Sequence, residues 1–282
     1  MGRVVVVGSL NSDHTVRVKR HPEIGQTVIG LSYARALGGK GFNQAVTAAR
    51  QGADVVMVGC VGDDSDGGDL VRALAEAGAD VGYVRRHAEL PTGRAHITVD
   101  GAGRNSIVVV PGANAGVSFP SAALEGASVL LAQLEVPLDV VAAALFVARN
   151  AGVTTVLNPA PAQPLSDRLL SMVDYLMPNE TEAQLLGEVA YTGTAIVTQG
   201  ERGSLLLRPG QPDVRIDALH VDVVDTTAAG DAFCGCFAAA LASGLPLEEG
   251  LRRANAAGAH AVTVHGALPS LPTAHDVNSL LG

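Results

Sequence analysis

Apolar, largely β-branched runs recur along this chain with room for one helix between most of them, and that rhythm restricts the fold more than any other feature. The runs are RVVVVGS at 3–9, DVVMVGCVG at 54–62, SVLLAQLE at 128–135, TTVLNPAP at 154–161, DYLMPN at 174–179 and TAIVTQG at 194–200. Most are apolar in succession rather than alternating, the mark of strands buried on both faces. Between them lie Ala- and Leu-rich segments such as NQAVTAARQGA, GGDLVRALAEAGAD, LDVVAAALFVARNAG and TEAQLLG. Strand–helix alternation of this kind predicts an α/β fold, a doubly wound and mainly parallel sheet flanked by helices. With 282 residues, 48% of them hydrophobic, the chain has apolar material for such a core.

Two stretches break the rhythm. Residues 12–36 and 92–110 hold short alternating pieces, HTVRVKR, QTVIGLSYARAL, GRAHITVD and RNSIVVV, and the turn DGAG joins the last two as a hairpin. Strands without intervening helices suit a small separate sheet. The expected organisation is a body of residues 1–11, 37–91 and 111–282, with a discontinuous β-sheet lid formed by 12–36 and 92–110.

The formal net charge is −9, and no Lys/Arg run is longer than a pair such as Arg85-Arg86, which argues against nucleic acid or an anionic membrane as partner. In MGRVVVVGSL the valine run breaks at Gly8, too short for a signal-peptide core or a membrane span, so a cytoplasmic protein is expected. Cys60, Cys234 and Cys236 read as small core residues rather than a disulfide framework. The histidines show no metal-ligand spacing.

Ligands of open α/β sheets gather outside the carboxyl ends of the strands. The polar and glycine-rich clusters fall there: Asn11 and Asp13, Glu135, NPAP, PNETE, TQGERG, and DTTAAGD after a further strand expected near 220–225. In VVDTTAAGDAF, Asp231 stands where an Ala-rich helix begins. A helix N-terminus exposes unpaired N–H groups and partial positive charge. Asp231 is therefore either a helix cap or a general base beside an anion hole made by the N–H groups of Ala229, Gly230 and Asp231. LGGKGFNQAV is no Walker A loop, since Gly41 rather than Ser or Thr follows Lys40. Nor does the first strand lead into G-x-G-x-x-G. The segment reads either as a tight turn bringing N–H groups, Lys40 and Asn43 onto a small polar ligand, or as a flexible helix entry with a solvated lysine. In PNETEAQLL, Asn179 and Glu182 have the spacing of a capping box, or could orient magnesium-bound waters and phosphate oxygens.

GSLNSD, GGKGFNQAV, NPAPA, PNETEA, TQGERG and VDTTAAGDAF, in this order and at these intervals, resemble the ribokinase-like sugar kinases of the phosphofructokinase-B type, from residue 4 to about 271. NPAPA and PNETEA favour the ribokinase branch. The resemblance implies ATP-dependent phosphorylation of a sugar primary hydroxyl, first of all D-ribose to ribose 5-phosphate. The alternatives are 2-deoxyribose, another sugar or a nucleoside, or a sugar-binding relic without turnover. It implies that Asp231 is the base, with Gly230 and Ala229 beside it, and that the sugar lies among Asn11, Asp13, Gly39, Lys40, Asn43, Glu135 and Asp231. It implies that ATP, with Mg²⁺, is contacted by Asn179, Glu182, Thr198, Gly200, Gly203, Gly230 and Asn255. A monovalent cation, K⁺, is implied near Asp225, Thr227, Ala261, Val264, Gly266 and Ser270, and a homodimer through the lid.

Two features depart from the family pattern. Only residues 178–193 separate the strand expected to end near Met177 from the one expected to begin near Thr194, room for one short helix where relatives carry another. Phe42 stands where a small residue is usual, directly before Asn43. Helical neighbours diverge by roughly 100°, so with Asn43 facing the sugar, Phe42 is expected to pack against the protein.

Overall fold

The computed structural model describes residues 2–187, 191 and 193–282; the predicted crossover between 178 and 193 lies partly outside the described residues, at 188–190 and 192. In chain order the strands are β1 (Arg3–Val7), β2 (Asn11–Arg17), β3 (Ser32–Gly38), β4 (Asp54–Gly62), β5 (Ala79–His87), β6 (Gly93–Val99), β7 (Asn105–Val110), β8 (Ala127–Ala132), β9 (Thr154–Leu157), β10 (Tyr175–Leu176), β11 (Thr194–Thr198), β12 (Ser204–Leu207) and β13 (Val214–Ile216). The helices are α1 (Lys40–Arg50), α2 (Ser65–Glu76), α3 (Leu138–Asn150), α4 (Asp167–Leu170), α5 (Glu180–Leu186), α6 (Ala229–Ala242), α7 (Leu247–Ala261), α8 (Ala267–Ser270) and α9 (Ala274–Leu281).

The main sheet has the order β13-β12-β11-β10-β9-β8-β1-β4-β5. Pairing is parallel from β5 to β11, and β12 and β13 add an antiparallel edge. The valines of β1 show why its run is apolar without alternation. Val4 and Val6 join the core on the face covered by α1, α6 and α7, while Val5 and Val7 join the core on the opposite face under α3. All four are 0% exposed. Phe42 is also 0% exposed and lies in the first of these cores, packed against the protein as its position before Asn43 predicts. The three cysteines are buried and unpaired. Among the described residues no helix is long and apolar enough to cross a membrane.

Three local expectations fail for reasons of pairing. The strand expected near 220–225 is absent: the last strand is β13, and the chain then runs as a loop. Val223 and Val224 are β-branched but exposed, and instead of a strand partner the N–H groups of Val224 and Asp225 donate to the Val262 carbonyl at 2.7 and 3.1 Å. β5 escapes the pattern because an edge strand exposes part of its length, and charged Arg85 and Arg86 break its apolar run. The start of QTVIGLSYARAL lies outside the ladder, which begins at Ser32.

The second sheet has the order β3-β2-β6-β7. β2 follows β1 after three residues, Gly8 to Leu10, so Asn11 and Asp13 leave the carboxyl end of a central strand. Because alternate residues share a face, Asn11 and Asp13 point the same way, and the register sets Asp13 opposite Ala36 and Ala95.

Candidate active site

Asp231 is the third residue of α6, and the residue at the cap position is Ala228. The capping alternative is therefore set aside: no side chain caps this helix, and Ala228, at φ 61°, is the one non-glycine residue with positive φ among those described. A left-handed alanine is strained, and strain of this kind collects at functional turns. The Gly230 and Asp231 N–H groups have no acceptor among the described residues. A Cβ placed on Gly230 would meet nothing within 4 Å, so the helix start faces open space. The Asp231 carboxylate turns inward and is 8% exposed. Its Oδ2 accepts from Asn43 Nδ2 and its Oδ1 from Gln44 Nε2, each at 2.9 Å.

Around the residues expected to hold a sugar, glycines let α1 begin against the turn between β1 and β2. Gly39 has φ 93°, and a Cβ there would lie 2.8 Å from Asn11 N and 3.0 Å from the Ser9 carbonyl. Only glycine fits such a place. The tight approach lets Glu135 Oε2 accept from Lys40 N at 3.1 Å and from Ser9 Oγ at 2.5 Å. Asn11 Oδ1 accepts from Asn114 Nδ2 at 2.7 Å, and Leu10 N donates to Asn114 Oδ1 at 2.9 Å. Asn43 Oδ1 is buried without a partner among the described residues. A buried orphan acceptor is costly unless a ligand donor meets it.

The electrostatics tie these residues together. Burial, then the neighbouring charges of Glu135 and Asp231, push the Asp13 carboxyl up to about 7. Burial alone would lower the Lys40 ammonium, but Asp231, Glu135 and Glu182 outweigh it and raise its pKa. Lys40 is thus a fixed cation among carboxylates. Asn11, Asp13, Gly39, Lys40, Asn43, Glu135 and Asp231 are thus neighbours through these contacts and charges. Sequence reasoning missed Ser9, Gln44, Asn114, Gln133 and Asn158. For all but Asn114 the signal was present as polar residues at or beside the rim motifs; Asn158 even opens NPAPA.

A cavity of ≈ 300 Å³ opens beside the start of α6, lined on its apolar side by Leu219, Val221, Val223, Phe233 and Val262. Thr198, Gly200, Gly203, Gly230 and Asn255 also line it. Asn179 and Glu182 do not. Asn179 instead caps α5 and Glu182 completes the box, with reciprocal bonds of 2.8 Å. Asn255 commits its amide to the carbonyls of Ile216 and Asp217 at 3.0 and 3.3 Å. A larger cavity, ≈ 780 Å³, lies at the amino ends of β9, β10 and β11 and contains none of the predicted residues.

Next to α6, Asp225 ties two loops. Its Oδ1 accepts from the Thr227 hydroxyl and N–H at 2.6 and 2.9 Å, and its Oδ2 from Gly266 N at 2.9 Å. Burial would raise its carboxyl, but these donors outweigh burial and hold it below the usual range. Ala261 ends α7 and Val264 lies in the second loop, and Ser270 closes α8 with a bond from its hydroxyl to the Ala267 carbonyl at 2.8 Å.

The model of the pfkB family carbohydrate kinases matches residues 1–274. The chain is 39% identical over 300 residues to the ribokinase of Haemophilus influenzae, covering 99% of this chain and 98% of that one. Against the ribokinase of Bacillus subtilis it is 38% identical over 295 residues, covering 100% of both. The structure of Arabidopsis thaliana ribokinase complexed with ribose and ATP matches with a TM-score of 0.91 at 33% identity, over 100% of this chain and 99% of that one. A match of this extent makes this protein a member of the pfkB family of carbohydrate kinases.

Proposed function

We propose that this protein transfers the γ-phosphoryl group of ATP to the primary hydroxyl of a pentose, converting D-ribose to ribose 5-phosphate. One observation carries the reading: the Asp231 carboxylate lies between the sugar-side amide of Asn43 and the unpaired N–H groups at the start of α6. Asp231 takes the proton of the 5-hydroxyl as that oxygen bonds to the γ-phosphorus and the bond to the β-phosphate oxygen breaks, releasing ADP. The Gly230 and Asp231 N–H groups, with the positive end of α6, receive the charge on the phosphoryl oxygens. Lys40 adds a cation on the same side. Phosphoryl transfer needs positioning and charge stabilisation more than covalent help, and these residues supply both.

Asn11, Asp13, Asn43 and Glu135 match the hydroxyls of a sugar in kind, three acceptor-rich side chains and the orphan Oδ1 of Asn43. Asp225 with the carbonyls of Ala261 and Val264, and with Thr227, Gly266 and Ser270, fits a large monovalent cation such as K⁺. One carboxylate and neutral oxygens on loops tied to each other suit an ion of low charge. When bound, that ion would brace the loop preceding α6. Mg²⁺ accompanies the nucleotide phosphates and keeps most of its waters. The second carboxylate oxygen of Glu182, which accepts no bond from the described residues, fits the orientation of such a water.

The face of the small sheet that carries Asp13 continues into Thr15, Ile97, Ile107 and Val109. Ile107 and Val109 are 51% and 46% exposed, an apolar continuation that suits a lid over the sugar and pairing with a second copy of the chain in a cytoplasmic homodimer. The test is a coupled ADP-release assay over ribose, 2-deoxyribose, fructose and adenosine, with the mass of each product. Ribose is expected to have the highest kcat/KM and to gain one phosphoryl group. A higher kcat/KM for another acceptor, or no ADP release with any, overturns the assignment.

A further inference from the structure

Behind Asp231 the structure holds a chain of buried amides that no part of the reaction above uses. Gln44 and Gln133 are both 0% exposed, and Asn158 is 8% exposed. Gln44 Nε2 donates to Asp231 Oδ1 at 2.9 Å and to Asn158 Oδ1 at 3.1 Å. Gln44 Oε1 accepts from Gln133 Nε2 at 2.6 Å, and Asn158 Nδ2 donates to the Met177 carbonyl at 2.9 Å.

The direction of these bonds has one solution. A backbone carbonyl only accepts, so Met177 obliges Asn158 to turn its Nδ2 toward it and its Oδ1 toward Gln44. Gln44 must then present Nε2, both of whose hydrogens are used, one on Asn158 and one on Asp231. Its Oε1 is left to face Gln133, which supplies a donor. Asn43, by contrast, is a sugar contact, and its bond to Asp231 Oδ2 is free to exchange when a hydroxyl arrives. Gln44 lies in the core with both ends of its amide matched and has no such freedom.

We propose that Gln44 is a positioning residue for phosphoryl transfer: it pins Oδ1 of Asp231, so that Oδ2 alone meets the substrate hydroxyl, and keeps the carboxylate ionised. Gln133 and Asn158 orient its amide. The inference rests on Asp231 being the base. Donation to a carboxylate favours its charged form, so losing the donor is expected to move the acid limb of the kcat profile upward. A side chain that only fills the core would affect stability and leave that limb alone.

The experiment compares wild type, Gln44→Met, Gln133→Met and Asp231→Asn, each checked for folding by thermal melt, through pH profiles of kcat with ribose and ATP saturating. In Gln44→Met, kcat is expected to fall ~10- to 100-fold with both KM values within ~3-fold, and the acid limb to move up by about one pH unit. Gln133→Met removes only the group that orients the amide and is expected to give a smaller change in the same direction. A folded Gln44→Met with kcat within ~3-fold of wild type and an unmoved acid limb overturns the proposal. If that variant does not fold, an unmoved limb in Gln133→Met overturns it instead. Asp231→Asn separates the two ideas. Its inactivity beside an unaffected Gln44→Met condemns the positioning role alone, whereas activity in Asp231→Asn removes the base and the positioning role together.

Discussion

Asn43 Nδ2 and Asp231 Oδ2 meet at 2.9 Å although 188 positions separate them in sequence. The bond joins the first turn of α1 to the first turn of α6, and so joins the proposed sugar-binding residues to the proposed phosphate-binding helix start. It forms because the two helices approach without side-chain bulk. A Cβ on Gly235 would lie 2.5 Å from the Gln44 carbonyl oxygen and 2.8 Å from Thr47 Cβ.

Gly235→Ala is accordingly expected to push α6 away from α1. Overpacking of this kind costs ~1–3 kcal/mol, and the Asp231 carboxylate would lose alignment with both amides. A thermal melt and kcat measured on the same preparation check this: a lower Tm with kcat reduced ~10-fold or more is expected, since small misplacements cost catalysis disproportionately. Wild-type kcat would show that the helix spacing has slack.

Asp231→Asn is expected to fold and bind nucleotide, because an amide preserves the shape and α6 keeps its N–H groups. Turnover should fall by roughly 10²- to 10⁴-fold, the worth of a positioned base. Nucleotide affinity by calorimetry beside kcat by ADP release makes the comparison. Retention of more than about a tenth of the wild-type kcat would falsify the base assignment.

The raised pKa of Asp13 gives two pH dependences of opposite sign. Sugar binding needs the carboxylate as acceptor, so kcat/KM for the sugar, which reports the free enzyme, should rise with pH through about 7. Stability runs the other way. An aspartate whose folded pKa lies above its unfolded value binds more protons folded than unfolded between the two, so stability falls as pH rises from about 4 to about 7. Asp13→Asn removes that cost and is expected to raise Tm at pH 8 by ~2–4 °C per kcal/mol relieved, with little effect at pH 4, while sugar binding is lost. A Tm difference independent of pH contradicts the shift.

Potassium is expected to raise activity more than sodium at matched ionic strength, because loop carbonyls fit the larger ion and brace the turn before α6. Asp225→Ala should abolish the difference. It also frees the Gly266 and Thr227 N–H groups that Asp225 now accepts. Equal rates in potassium-free buffer and in excess potassium chloride refute the cation site.

Phe42→Ala should destabilise by ~3–5 kcal/mol, the usual cost of emptying a fully buried phenylalanine site, and leave the ranking of substrates unchanged. The ring is 0% exposed and belongs to the core rather than the pocket. Measuring kcat/KM for ribose, 2-deoxyribose, fructose and adenosine in the folded variant decides; a reordered ranking would mean that the ring shapes the sugar site.

What the sequence determined by itself is whatever depends on near neighbours or on composition along one element. The valines of β1, apolar in succession, announced a strand buried on both faces, and Asn179 with Glu182, three positions on, announced a capping box. The turn in GGKG and the helix start in TTAAGD were equally local, because glycine and alanine spacing dictates where a backbone can turn and where N–H groups stay unpaired. Tertiary structure decided the rest. VDVVD has the composition of a strand, yet no neighbour offers it a ladder, and it became a loop whose N–H groups reach Val262. Asp231 could have been a cap on sequence grounds, and it is not one because Ala228 occupies the cap and two amides from α1 take its carboxylate. Gln44 and Asn158 stand inside motifs, and Gln133 beside Glu135, but no local reading gave any of them a partner. Their contacts arise only where three distant segments pack closely enough that the buried amide of Gln44 meets a matching donor or acceptor on every side.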